Sequence, residues 1–344
     1  AVDTLEKMAH GASARTASVA LAAIGAVIAA LGQTHDAVVS RLLGNLMTGV
    51  SHYDPDVHQT AMQVLCCDLF GSDALPLSFR GALFARLHKK LLTLLCEPRA
   101  GQTVRFHDAA MLNHLYRFLV RYEIECGALP FAPPKPAAFF PGTFDPFSAG
   151  HKQIVEHIRA LGFEVYLAID EFSWSKKTLA KLLRRQIAMI SAADQWDTYL
   201  FPDDIPINIA MPRDLALLKR LLPERELYLV AGSDVIRGAS AYRSREPGSA
   251  AEYNHIIFCR GEETNEARQA LSSVIRGRLR VLSLPAFYET VSSTRIRDYV
   301  DRGLDISMLV DPVVQSFIYE NRLYIREPET KNELSRQERQ YRLY

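Results

Sequence analysis

The chain has 344 residues, of which 48% are hydrophobic and 23% charged, and its formal net charge is +1. That composition is ordinary for a soluble globular protein able to bury a core, and the length favours two domains over one. A charge so near balance excludes attraction to nucleic acid or to a membrane surface through bulk charge, so neither is expected as a partner.

Residues 1–134 read as an all-helical domain. Apolar residues recur at helical spacing over 18–31, 37–47, 57–69, 79–95 and 109–124, each stretch bounded by Gly, Asp, Ser or Pro. The uncharged stretch 16–34 is mostly Ala and Gly with few large apolar side chains, so it is read as a buried helix and not a membrane span. Asp54-Pro-Asp-Val57, followed by Ala61 and Leu65, resembles the start of a second helix in a HEAT-type repeat. The helix spacing is irregular, so a compact bundle and a short HEAT-like solenoid both stay open. His52, His58, His88, His107 and His114 lack ligand spacing and are expected to be surface or satisfied core residues. With no chemistry in this part, packing against the second domain or a protein partner is its expected role.

Cys66, Cys67, Cys96, Cys126 and Cys259 are odd in number and lack CxxC spacing, the pattern of buried, reduced thiols in a cytoplasmic protein. No secretory leader is evident, and a start at Ala with a polar end is what a piece of a longer chain would show. Four prolines in Pro130-Phe-Ala-Pro-Pro-Lys-Pro136 cannot continue a helix and predict a stiff connector.

From 135 to 328 strands and helices alternate. Strands are expected at 137–140, 163–169, 226–231, 255–259 and 279–283, with helices at 149–160, 179–193, 214–222, 293–302 and 311–320. This alternation predicts an α/β fold with a doubly wound parallel sheet. Residues 329–344 are expected to form a polar tail.

Pro141-Gly-Thr-Phe-Asp-Pro-Phe-Ser-Ala-Gly-His151 links the first expected strand to a helix start, a layout that offers backbone N–H groups and a positive helix end to a phosphate. Val291-Ser-Ser-Thr-Arg-Ile-Arg297 again opens a helix, and Gly232-Ser-Asp234 again follows a strand. In a doubly wound sheet these stretches should converge on one crevice at the carboxyl ends of the strands.

Gly142-Thr-Phe-Asp-Pro-Phe-Ser-Ala-Gly-His151 resembles the first signature of the HxGH nucleotidyltransferase superfamily, usually written GTFDPxHxGH, and Ser293-Thr-Arg-Ile-Arg297 resembles the second, SSTxIR. Leu309-Val-Asp-Pro-Val-Val and Ile318-Tyr-Glu-Asn-Arg-Leu-Tyr324 are similar to the terminal segment of nicotinate-nucleotide adenylyltransferases. Phe140-Pro-Gly-Thr-Phe-Asp-Pro146 is similar to phosphopantetheine adenylyltransferases. The resemblance covers about 190 residues and implies a Rossmann-like nucleotidyltransferase domain. It implies transfer of the α-phosphate of ATP to a phosphorylated acceptor, with nicotinate mononucleotide leading, and release of pyrophosphate. The alternatives are adenylyl or cytidylyl transfer to another phosphorylated acceptor such as phosphopantetheine, or a nucleotide-binding sensor without catalysis. Mg²⁺ is expected with ATP, held mainly by the phosphates, and no carboxylate cage for it is visible.

The resemblance also assigns roles. His151 would donate to the α-phosphate, which the backbone at Gly142, Thr143, Phe144 and Gly150 would cradle. Ser148 stands where the first His of HxGH belongs and offers a shorter, uncharged donor to phosphate; phosphopantetheine adenylyltransferases carry Thr there. Ser293, Thr294 and Arg297 would hold the leaving phosphates, and Lys177, with Lys176 its competitor, would bind phosphate from the loop after the second strand. Gly232 and Asp234 would lie along the nucleoside. Tyr242, where nicotinate-nucleotide enzymes carry Trp, is assigned to the acceptor, with packing as its other reading; Trp174 and Trp196 stay open between stacking and packing.

Overall fold

The computed structural model describes residues 2–11, 13–97, 106–170, 178–244, 246–259 and 265–326. The first part consists of α1 (Val2–Ala9), α2 (Ala14–Leu31), α3 (Asp36–Ser51), α4 (Pro55–Gln63), α5 (Leu77–Cys96) and α6 (Phe106–Cys126), with a π-helical stretch at Val64–Phe70. Local chemistry sets several starts. Ser13 caps α2 by accepting from the Thr16 N–H, and Asp54 caps α4 just ahead of Pro55, whose missing N–H is no loss in a first turn. By length and composition α2 could cross a membrane, with a mean hydropathy of 1.8 over 18 residues. Its Ala17, Ala20, Leu21, Ile24 and Ile28 are buried among the neighbouring helices. His58 is a satisfied core histidine, with Nδ1 2.7 Å from the Val50 carbonyl and Nε2 2.9 Å from Asp108.

The second part runs β1 (Ala137–Gly142), α7 (Ala149–Ala160), β2 (Glu164–Ile169), α8 (Lys181–Ala192), β3 (Thr198–Leu200), α9 (Pro212–Leu221), β4 (Leu227–Gly232), α10 (Ser233–Gly238), β5 (Asn254–Cys259), α11 (Asn265–Val274), β6 (Leu279–Ser283), α12 (Ala286–Glu289), α13 (Ser293–Asp301) and α14 (Pro312–Glu320). The strands form one six-stranded sheet in the order 3-2-1-4-5-6, and every neighbouring pair is parallel. Alternate residues of each strand feed apolar clusters on opposite faces. Phe140, Leu167 and Val230 face one side, and Phe139, Tyr166 and Leu229 face the other. Burial on both faces is why these strands read as continuous apolar runs. The expected doubly wound sheet behind an all-α part is therefore what the chain forms. Sequence reading omits β3, which is only three residues long and follows Asp197 at φ +55°.

The two parts share a core. One cluster runs from Leu21, Leu42 and Leu91 of the helical part into Ile187, Phe317 and the sheet. Buried charge crosses the same junction. Lys90 of α5 donates to the main-chain carbonyls of Ala192, at 2.8 Å, and of Thr198. Glu97 accepts from Arg185 of α8, with Nε 2.9 Å from Oε2, while Arg185 also donates to the Phe201 carbonyl at 3.1 Å. Trp196 packs here, its ring centroid 5.7 Å from the Arg86 guanidinium, whereas Trp174 lies outside the described residues. Cys66 and Cys259 are buried as expected, but Cys96 and Cys126 are exposed, because each is the last residue of its helix.

Candidate active site

The strand order reverses between β1 and β4, and ligands of such sheets bind beyond the strand ends at that reversal. A cavity of about 500 Å³ opens there, walled by the ends of β1 and β4 and the starts of α7 and α13. Gly142, Thr143, Phe144, His151, Gly232, Asp234, Ser293, Thr294 and Arg297 all line it.

His151 lies in the first turn of α7, in a reciprocal cap with Ser148. Its Nδ1 accepts the Ser148 main-chain N–H at 3.0 Å and stands 2.9 Å from the Ser148 hydroxyl. A ring nitrogen that accepts carries no proton, so the neutral imidazole carries its proton on Nε2. Phe144 meets the ring edge-on with centroids 5.1 Å apart, and Phe147 packs at 5.3 Å. Phe144 itself has φ +45°, a costly backbone conformation for a side-chain-bearing residue and one that functional turns tend to store.

On the opposite wall, the Arg297 Nη1 donates to the Asp145 carbonyl at 2.6 Å and Nη2 to the Thr294 hydroxyl at 3.2 Å. The Ser293 hydroxyl donates to the Pro146 carbonyl at 2.9 Å. These bonds stitch α13 to the turn after β1, so two motifs distant in sequence share one cavity. Ser292 caps α13, accepting from the Arg295 N–H at 3.2 Å, which makes Ser293 and Thr294 its first helical residues. At the end of β4, a Cβ on Gly232 would stand 2.4 Å from Asp234 Oδ1 and 3.3 Å from the Phe258 ring, so only Gly lets Asp234 fold back beside the strand.

Three expected contacts fall elsewhere. Ser148 is buried and does not line the cavity; its hydroxyl accepts the His151 N–H at 3.4 Å, so it holds the imidazole and does not face a phosphate. Gly150 is also buried, and a Cβ there would meet the carbonyls of Val291 at 3.3 Å and Tyr288 at 3.4 Å, so it serves the close approach of α7 to that loop. Tyr242 belongs to the apolar cluster on the far face of the sheet, with its hydroxyl 3.2 Å from His255 Nε2 and its phenol pushed up by burial. On the short turn Ser240–Tyr242 it is buried and does not line the cavity. Lys177 and Lys176 lie outside the described residues.

Sequence reading missed Asp145, Asp170 and Asn208, which line the cavity, and Arg184, which braces it. Asp145 was legible within the first motif. Arg184 is buried and donates to the carbonyls of Thr143 at 2.7 Å and Asp170 at 3.1 Å, fixing the turn after β1. Nothing in an Arg-Arg pair marks it, since such pairs usually face water. The assembled wall has two helix starts and the permanent charge of Arg297 around one cavity, which suits a polyanion.

Residues 139–299 match the family model described as Cytidylyltransferase-like. A protein of Flavobacterium johnsoniae called "Probable nicotinate-nucleotide adenylyltransferase" is 24% identical over 190 residues, covering 53% of this chain and 95% of that one. A phosphopantetheine adenylyltransferase of Coprothermobacter proteolyticus is 28% identical over 181 residues, covering 53% of this chain and 93% of that one. Among solved structures, Plasmodium falciparum nicotinic acid mononucleotide adenylyltransferase complexed with NaAD aligns at 21% identity and a TM-score of 0.46, over 55% of this chain and 97% of that one. The matched stretch coincides with the sheet and its two motifs. Residues 139–299, which hold most of the sheet and both motifs, are thus similar to the cytidylyltransferase-like family.

Proposed function

We propose that the chain is an adenylyltransferase that joins the α-phosphate of ATP to the phosphate of nicotinate mononucleotide and releases pyrophosphate. The observation that carries this reading is the convergence of His151, Arg297 and the starts of α7 and α13 on one cavity at the strand reversal. The relatives' names supply the acceptor.

In this reaction an oxygen of the acceptor phosphate attacks the α-phosphorus as the bond to the bridging β-phosphate oxygen breaks. No covalent enzyme intermediate forms, so the chain's work is to position two anions and stabilise charge in the transition state. The backbone at Thr143 and Phe144 receives the α-phosphate, held in place by Arg184. His151, its tautomer set by Ser148, donates from Nε2 as charge grows on the α-phosphate oxygens. Arg297 takes the β- and γ-phosphates with forked donors, aided by Ser293 and Thr294, and Lys177 would add positive charge. Asp234 serves the nucleoside. Mg²⁺ would arrive with ATP, held mainly by its phosphates. Such an ion supplies charge neutralisation across the phosphates when bound.

A second acceptor, phosphopantetheine, is supported by the Coprothermobacter proteolyticus relative and by the Pro141–Pro146 run. Pyrophosphate release measured with ATP or CTP against nicotinate mononucleotide, nicotinamide mononucleotide and phosphopantetheine separates these readings. Turnover with ATP and nicotinate mononucleotide is expected; turnover with phosphopantetheine alone replaces the acceptor, and silence across the panel with ATP still bound leaves a sensor.

A further inference from the structure

We propose that Tyr324 is a positioning residue that keeps the charge of Arg297 available to the cavity, acting through the buried carboxylate of Asp145. This inference rests on the adenylyl-transfer reading above. After α14 the chain turns sharply back, with the Leu323 N–H donating to the Ile318 carbonyl at 2.9 Å and with Arg322 and Tyr324 at φ +51° and +65°. Two residues that bear side chains are thus held in a conformation that favours glycine, and the reversal carries Tyr324 to the turn after β1. Its hydroxyl donates to Asp145 Oδ1 at 2.9 Å. Burial and the neighbouring carboxylate push the Tyr324 phenol up, so it stays a donor. The main-chain N–H of Arg326 then donates to Asp301 Oδ1 at 2.9 Å, fastening the same segment to α13, the helix that bears Arg297.

Asp145 is 2% exposed, and its Oδ2 accepts from no group among the described residues, although Arg297 Nη1 lies only 3.8 Å away. An unrestrained carboxylate at that distance would close on the guanidinium through two parallel bonds, the strongest pairing available to it. That fork would turn Arg297 inward and cancel the charge meant for phosphate. Tyr324 holds one oxygen, so the pair remains a single loose contact. Arg297, whose side chain is 28% exposed, keeps its remaining donors at the cavity wall.

The test is calorimetric titration of ATP and of AMP into the full chain and its Tyr324→Phe variant, which keeps the ring and removes only the hydroxyl. ATP affinity is expected to fall about tenfold, near the lower end of the effect of one hydrogen bond to a charged group. AMP affinity is expected to hold, because AMP lacks the phosphates assigned to Arg297; a merely structural role would weaken both. Adding Asp145→Asn to Tyr324→Phe should restore most of the loss, since an amide has no charge to spend on the guanidinium. Asp145→Asn alone should bind ATP at least as well as the parent, which keeps the test available should Tyr324→Phe not fold. Unchanged ATP binding by Tyr324→Phe, equal losses for ATP and AMP, a failed rescue, or ATP binding weakened by Asp145→Asn alone would each overturn the role of Tyr324 and leave the adenylyl-transfer reading standing. A parent chain that binds neither nucleotide overturns that reading, and this one with it.

Discussion

At the junction between the helical and α/β parts, buried charges are completed by protein. Lys90 is spent on two carbonyls of the other part, and Arg185 is spent on Glu97 and Phe201. At the cavity the arrangement is reversed. His151 is fixed from behind through Nδ1, and Arg297 through a carbonyl and a hydroxyl, and both line the cavity. In the proposed reaction the same residue types therefore do structural work at the junction and chemical work at the cavity. The contrast also separates loss of stability from loss of activity.

The largest expected effect lies at the junction. Glu97→Ala strands the buried Arg185 and is expected to cost about 3 kcal/mol, read as a lower urea midpoint with turnover per folded molecule intact. A variant that keeps its midpoint but loses turnover would erase the distinction. At the cavity, His151→Ala is expected to lower kcat about a hundredfold while shifting the urea midpoint far less than Glu97→Ala does. Between the two regions stands Arg184, one residue before Arg185 on α8. Arg184→Lys loses the Nε–H bond to the Leu179 carbonyl and the planar head that directs Nη1 to both other carbonyls, and about a tenfold loss of kcat/KM for ATP is expected, with the midpoint little changed. An equal loss of stability would move Arg184 to the structural side.

The smallest effect is in pH dependence. Burial pulls the Lys90 ammonium down to about 7 in the folded chain, against about 10.4 when unfolded. Between those values the unfolded chain binds more protons, so stability rises with pH, and the full burden falls below the lower one. Lys90→Met is expected to remove about 1 kcal/mol of the gain between about pH 7 and 8. Identical pH profiles for parent and variant would show that Lys90 titrates normally.

The sheet was legible because strands buried on both faces leave continuous apolar runs, and the cavity because phosphate-binding turns demand Gly, His and Arg in fixed order around helix starts. What stayed hidden depends on where the chain goes after a local pattern ends. β3 is too short for a periodic signal, and Tyr242 sits on a turn whose direction no neighbouring residue declares. The hydroxyl of Ser148 looked like a weakened imidazole, whereas three-residue spacing from His151 makes it the cap. Nothing in the sequence marks Lys90, Arg184 or Arg185 as buried, because their partners come from other elements far along the chain.

The most direct measurement is pyrophosphate release from ATP and nicotinate mononucleotide with Mg²⁺, normalised to folded protein, for the parent chain, Glu97→Ala and His151→Ala. The expected result is equal turnover by the parent and Glu97→Ala, and a loss of about a hundredfold in His151→Ala. A silent parent chain, or a His151→Ala variant as fast as the parent, would contradict the assignment of the cavity to adenylyl transfer.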